Sequence, residues 1–424
     1  MDYGLTRRRF LTKGTEWLGA SVLADWAEEA LGALTPESLR AAANGGQSRQ
    51  VRGGSGIPTD AHGMIVYSEE YVTREMPVSL LDSWITPTEH FFVRNNEHMP
   101  QIDLAEWKLT ITGEVARPLT LTMDELLKME SHSVTNTLEC AGNGRAFFQP
   151  RIRGVPWSRG GVGNAVFRGL SLGALLQRAG AKSSARHVAF IGARLPSPDS
   201  PFMRSIPIDK ALDPDTIVAT DMNGAPLTPE HGYPARALVP GWIGSASIKW
   251  LTEIRVLTHE LEGYFMDSAY RLPARSAETD RANASASAEA QRGSVITSLP
   301  LKSIIAAPVD GSTINIVADG PSAEPVRIFG AAWGGESNVA RVEVSTDAGK
   351  SWQPAALGAE RARYAWRLWD FPWKPLEAGS YVILSHAIDN RGRTQPLEMQ
   401  WNPGGYIWNA ADRIRVNVAN RASR

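Results

Sequence analysis

Two styles of hydrophobic patterning divide the chain. From about residue 64 to 272, short strand-like runs alternate with helical ones. Trp107-Lys108-Leu109-Thr110-Ile111-Thr112-Gly113 puts apolar and polar side chains on alternate positions, which predicts a strand. Thr122, with Glu125 three residues on, has the spacing of a capping box and predicts a helix from Met123. A second helix is predicted over 171–180, stopped by its glycine, and another strand over 248–257. Residues 274–292 hold few large apolar side chains and predict a linker. Beyond them, β-like runs recur at 295–305, 312–317, 326–333, 340–345, 363–369, 381–389 and 414–418. Turn signals such as Asp310-Gly311, Asp347-Ala348-Gly349 and Asn390-Arg391-Gly392 separate them. Short strands at this spacing predict an antiparallel sandwich of immunoglobulin-like build. The expected class is α+β. A leader and flexible segment occupies 1–62, a mixed α/β domain 63–273, a linker 274–293 and the sandwich 294–424.

Bulk composition narrows the partners. Of 424 residues, 43% are hydrophobic and 21% charged, as in an ordinary globular protein. A net charge of −1 gives no global field to attract nucleic acid or an anionic membrane. No run of about 18 apolar residues appears, so no transmembrane span is expected. Thr6-Arg7-Arg8-Arg9-Phe10-Leu11-Thr12-Lys13, with an apolar stretch from Trp17 to Ala24, has the pattern of a twin-arginine export signal. That predicts a periplasmic protein.

Four segments carry candidate chemistry. Cys140 is the single cysteine of the chain, so it cannot form an intramolecular disulfide or a multi-thiolate metal site. It is either a buried thiol, a lone nucleophile or one ligand of a metal whose other ligands are not cysteines. Ala141, Gly142, Asn143 and Gly144 follow it, so backbone can approach a bulky ligand, and Arg145 is five residues on. Trp157 either walls the same pocket or packs in the core. Arg94 lies in Phe91-Phe92-Val93-Arg94-Asn95-Asn96, where it either binds an oxyanion bidentately or forms a surface ion pair. His231, Arg236, Ser247 and Lys249 fall within about twenty residues rich in glycine and proline, a set suited to a phosphate and a heterocycle. Arg367, between Trp366 and Leu368, is either a sandwich-surface ion-pair partner or reaches across the domain interface.

In combination these motifs resemble the sulfite oxidase family of molybdenum enzymes. They are Phe92-Val93-Arg94-Asn95, Cys140-Ala141-Gly142-Asn143 with Arg145, His231-Gly232-Tyr233-Pro234 with Arg236, Lys249-Trp250, and Ser205-Ile206-Pro207 with Asp213-Pro214. The likeness covers roughly residues 64–272 and 294–420. It implies that Cys140 ligates molybdenum carried by a molybdopterin. It also implies that Arg94, Arg145, Trp157 and Arg367 line an anionic substrate pocket. His231, Arg236, Ser247, Ile248 and Lys249, with Phe92, Val93, Arg94, Asn95 and Asn96, would hold the cofactor. The second domain would pair two copies.

The chain departs from the family pattern in several places. Phe202 stands three residues before Ser205, where the resemblance implies a tyrosine near the substrate, so the cavity is expected to lack that phenol. Asn96 stands where many members carry His, and Gly144 replaces a first arginine. Met203-Arg204-Ser205 is similar to the bacterial sulfane dehydrogenase branch and adds Arg204 as a further candidate cation. The expected activity is oxidation of sulfite or a related sulfur compound, with electrons passing to a separate acceptor such as a c-type cytochrome. No haem-attachment motif and no flavin fingerprint is evident. The alternatives are a sulfoxide-reductase-like molybdoenzyme, whose relatives typically lack the second domain, and a non-catalytic cofactor-binding protein.

Overall fold

The structure, a computed structural model, describes residues 58–193, 202–273, 293–316 and 325–420. The leader up to residue 57 and the linker over 274–292 lie outside these residues. Among the described residues, the first domain contains two five-stranded sheets. One runs in the order Ala225–Pro226, Ile217–Met222, Val162–Ser171, His132–Glu139, with Arg236–Leu238 also on Ile217–Met222; all its pairs are antiparallel. The other runs Leu119–Leu121, Leu109–Gly113, Leu251–Leu257, His187–Gly192, Met203–Pro207. Its single parallel pair joins Leu109–Gly113 to Leu251–Leu257.

The predicted strands and helices of this domain appear with trimmed ends. Strand 248–257 begins only at Leu251, because Trp250 sits at φ 53, which extended backbone does not adopt. The helix Met123–Leu127 carries the capping box: Thr122 accepts from the Glu125 amide at 3.3 Å, and the Glu125 carboxylate accepts from the Thr122 amide at 2.8 Å. The helix Leu172–Ala179 is capped by Ser171 and ends on Gly180 at φ 70. It buries Leu172, Leu175, Leu176 and Ala179 against Leu109, Ile111, Phe190 and Ile254.

The second domain packs two further sheets face to face. Lys302–Ala307, Val326–Trp333, Arg367–Trp373 and Ala356–Leu357 form one; Thr313–Ile316, Asp412–Asn420, Gly379–Asp389, Val339–Ser345 and Gln353–Pro354 form the other. Ile305, Ile328 and Trp369 from the first meet Val342, Ile383 and Ile414 from the second. Every second residue of Asp412–Val418 is buried, as a strand with one wet face requires. The predicted run 295–305 is split. Ser294–Val295 pairs with Arg271–Leu272, and the sandwich strand starts at Lys302.

The predicted run 363–369 is displaced to Arg367–Trp373 because its first residues leave the sandwich. Tyr364 accepts the Thr137 amide at 2.9 Å, and the Trp366 amide donates to Thr137 Oγ1 at 2.8 Å. Trp84 and Trp366 each donate an indole N–H to the other's carbonyl, at 3.0 and 2.8 Å. One apolar cluster then spans the seam, joining Met64, Met76, Ala141 and Val162 to Ile304, Trp333 and Trp366. Area removed from water across this cluster holds the two domains together.

A buried carboxylate anchors the segment beneath this seam. Glu75 is fully buried and accepts from the amides of Ser158 and Gly160, the Ser158 hydroxyl and the Tyr67 hydroxyl. Glu75→Ala strands several of these donors without water, so unfolding in urea should show a loss of about 3 kcal/mol; a loss below about 1 kcal/mol would mean that solvent replaces the carboxylate.

Candidate active site

The end of strand His132–Glu139, the segment 91–97 and the turn-rich stretch 229–250 meet around one cavity. It holds roughly 890 Å³ of space, part of it open to solvent. Phe92, Arg94, Asn95, Asn96, Cys140, His231, Arg236, Ser247, Ile248 and Lys249 all line it. Glu97, Gly192, Ser245, Trp250, Phe202 and Tyr270 line it too.

Cys140 leaves its strand into a tight turn. Its amide donates to Gly161 O at 2.9 Å and its carbonyl accepts from Asn143 N at 2.9 Å. Burial pushes the thiol pKa up; the Arg145 charge, the Gly142 amide and the Arg94 charge pull it back down. Among the described residues no three His, Cys, Asp or Glu side chains gather into a metal cage. A metal on this sulfur would therefore draw its other ligands from a cofactor or solvent.

Cations crowd the rest of the cavity. Arg236 donates to His231 O at 2.9 Å and to Ser247 O at 3.0 Å, and burial pushes its pKa down to about 10. Lys249 donates to Glu230 O at 2.8 Å and to Asn95 Oδ1. Desolvation, then repulsion from Arg236 and Arg94, hold its pKa well below the usual lysine value. Arg94 is also lowered by burial, against favourable fields from Tyr270 and Cys140. The His231 pKa falls to about 3, through burial first and then Lys249 and Arg236, so its ring is neutral. Its Nε2 lies 3.2 Å from Thr88 O, a distance at which a neutral ring donates from that nitrogen.

Several buried donors of the cavity-lining residues lack a protein acceptor: Asn95 Nδ2, Arg236 Nε and the Ser245 hydroxyl. Each such group costs about 1–3 kcal/mol unless something accepts from it. An anionic ligand rich in acceptors, such as a pterin with a phosphate tail, fits this donor set.

Four sequence expectations need correction. Val93 does not line the cavity, because its backbone pairs with Arg74 and its side chain is buried. Trp157 is fully buried in an aromatic cluster with Tyr67 and Phe92, behind the cavity wall. Arg145 is set back from the lining. Its guanidinium donates to Val155 O at 3.1 Å and Gly404 O at 3.2 Å and stacks over Tyr406, with its centre 5.5 Å from the ring centre. It acts on Cys140 through its charge. Arg367 is not in the cavity. It donates to Gly358 O on the sandwich, because Trp366 takes the inward side of the extended backbone and Arg367 the outward one.

The phenol that position 202 lacks has a counterpart elsewhere in the cavity. Phe202 does line the cavity, packed on Phe265 at 4.5 Å between ring centres. Tyr270 lies beside it, and its hydroxyl hydrogen-bonds Asn96. Burial pushes its pKa up to about 12, with Tyr406 adding to this and Arg94 opposing it. Tyr270 sits at φ 55, a strained setting for a bulky residue and one that clusters at functional sites. Arg204, a candidate lining cation, instead lies behind Tyr270, 5.0 Å from its ring centre, and donates to Phe265 O. No motif or periodicity marks Tyr270 in the sequence.

A thiol, two arginines and a lysine around one acceptor-poor cavity define a site for an anionic cofactor. Residues 96–265 match the oxidoreductase molybdopterin binding domain and residues 293–419 the Mo-co oxidoreductase dimerisation domain. Sulfite oxidase of Arabidopsis thaliana is 30% identical over 384 residues, covering 84% of this chain and 94% of that protein. The mitochondrial sulfite oxidase of Drosophila melanogaster is 34% identical over 361 residues, covering 81% of this chain but 61% of that protein. The crystal structure of the sulfane dehydrogenase SoxCD from Paracoccus pantotrophus superposes with a TM-score of 0.69 at 27% identity, covering 82% of this chain and 84% of that one. The chain belongs to the sulfite oxidase family of molybdopterin oxidoreductases.

The depressed His231 pKa has a testable sign. Unfolded, the ring takes a proton near pH 6.5; folded, only near pH 3. Its contribution to stability is thus complete above pH 6.5 and is lost as pH falls toward 3, at about 1.4 kcal/mol per unit. Between pH 7 and 5 the wild-type protein should lose about 2 kcal/mol more than His231→Asn in urea unfolding. Parallel losses in the two proteins would show that His231 is free to charge in the folded state.

Proposed function

We propose that this chain holds a molybdenum-bearing molybdopterin in the cavity and oxidises sulfite or a related inorganic sulfur compound, sulfane sulfur included. The observation that carries this reading is the meeting of Cys140, Arg94 and Tyr270 in one cavity with Arg236, Lys249 and their unsatisfied neighbours. Cys140 would be the protein's ligand to the metal, a soft thiolate that suits it. Arg236, Lys249, Ser247, Ser245 and Asn95 would hold the pterin and its phosphate. The cofactor, when bound, supplies two-electron oxygen-atom chemistry.

The protein's own residues bind and orient. Arg145, clamped by two carbonyls, keeps positive charge near the Cys140 sulfur and favours its thiolate. Arg94 is the lining guanidinium placed to grip an oxyanion, since it interacts with both Cys140 and Tyr270. Tyr270 keeps its proton at neutral pH and can donate it in a hydrogen bond to a substrate oxygen. Phe91, Phe92, Phe202 and Trp250 exclude water from the other walls.

Other features support the finer parts of the proposal. One cysteine cannot attach a c-type haem, which favours a separate acceptor protein such as a cytochrome c. The twin arginines at Arg7-Arg8 favour export to the periplasm. The match of residues 293–419 to a dimerisation domain favours a homodimer paired through an immunoglobulin-like sandwich.

Cys140→Ser should fold normally, with an unchanged far-UV spectrum, yet show no sulfite-dependent reduction of cytochrome c and no thiolate-to-molybdenum absorption band. Full turnover in that variant would refute the ligand assignment. Tyr270→Phe should keep the band while kcat/KM for sulfite falls about a hundredfold, the usual value of a positioned proton donor. A fall of less than about twofold would place the hydroxyl outside the reaction.

A further inference from the structure

We infer that Lys302 and Trp333, both on the second domain, are positioning residues for Cys140 and act on it through Glu139. This deepens the proposal above and rests on Cys140 being the metal ligand.

Glu139 ends its strand and directly precedes Cys140. Its carboxylate is held on both oxygens. Lys302 Nζ donates to Oε1 at 2.7 Å, Asn143 Nδ2 to the same oxygen at 2.9 Å, and Trp333 Nε1 to Oε2 at 2.8 Å. The side chains of Lys302 and Glu139 are each 4% exposed. Lys302 and Trp333 are directly opposed across neighbouring strands, so the sandwich presents both donors as one rigid fork.

The hold extends past the carboxylate. Asn143 Oδ1 accepts from the Gly161 amide at 3.0 Å, and the Gly161 carbonyl accepts from the Cys140 amide at 2.9 Å. On the far side of the turn, the Ile407 amide donates to Ala141 O at 2.7 Å. The residues before and after Cys140 are thus each fixed by the second domain. A buried ion pair is a costly way to glue a seam that apolar residues would seal as well. Here it sits one residue from the sulfur, where the Lys302 charge opposes that of Glu139. The groups behind a metal ligand set its orientation and strength.

Holoenzyme carrying Lys302→Met, Lys302→Arg or Trp333→Phe tests this. In Lys302→Met the thiolate-to-molybdenum band should shift, molybdenum should be lost more readily on dialysis, and kcat should fall about tenfold or more, with KM for sulfite within about twofold. Trp333→Phe should move the band in the same direction by less, and Lys302→Arg should return it. An unmoved band with full kcat in folded Lys302→Met and Trp333→Phe overturns the inference. Should Lys302→Met fail to fold, the band and kcat of Trp333→Phe decide alone. If the band is lost in Cys140→Ser but unmoved in these variants, this inference fails while the ligand assignment stands. If Cys140→Ser keeps the band, the ligand assignment itself has failed.

Discussion

Arg94, Arg236 and Lys249 share one cavity with a thiol, and burial lowers the pKa of each. Like charges withdrawn from water repel and lose hydration, so the fold has to hold them with fixed dipoles. It does so with main-chain carbonyls: those of His231 and Ser247 for Arg236, and of Glu230 for Lys249. Carbonyls can turn toward side chains only where no ladder claims them. This explains why the strand Arg236–Leu238 is flanked by the 3-10 turns Pro229–His231 and Gly244–Ala246, with Gly232 at φ 107 packed against the Lys249 side chain. A site preloaded with cations and unmet donors has a strong preference for an anion with many acceptors.

The second constraint is the seam. The cavity is lined by the first domain, yet its cysteine turn is also held by the second. Arg145 shows the arrangement. Its guanidinium fits a space kept open by Gly142 and Gly154 from one domain and Gly405 from the other, where a Cβ on any of the three would collide or crowd. Gly404 supplies one of its two carbonyl acceptors and Tyr406 its stacking face. Tyr406 in turn stacks on Tyr270 at 5.3 Å. The sandwich is therefore part of the site's scaffold.

Much of this was legible along the chain because local rules govern it. The capping box at Thr122, the Gly180 stop and the strand Val326–Trp333 depend on neighbours a few residues away. The motifs around Arg94, Cys140 and His231 were legible as chemistry, since cations, small residues and a lone thiol in such density have few ordinary structural uses. Arg367 and Trp157 misled because composition is silent on direction: one residue's difference in an extended segment turns a side chain to the opposite face. Tyr270 stayed hidden because a single tyrosine ahead of a linker carries no pattern. Its importance comes from Asn96, Arg94 and Cys140, all more than a hundred residues away.

The sequence by itself determined much of the helix and strand patterning, the family and the lone cysteine of the cavity, for these reside in residue type and short-range spacing. The tertiary structure decided which cations face the cavity, that a phenol stands among them, and that the second domain grips the cysteine turn. Those outcomes depend on long-range packing, where an arginine lines the cavity or becomes a surface donor according to which neighbour already occupies the inward side.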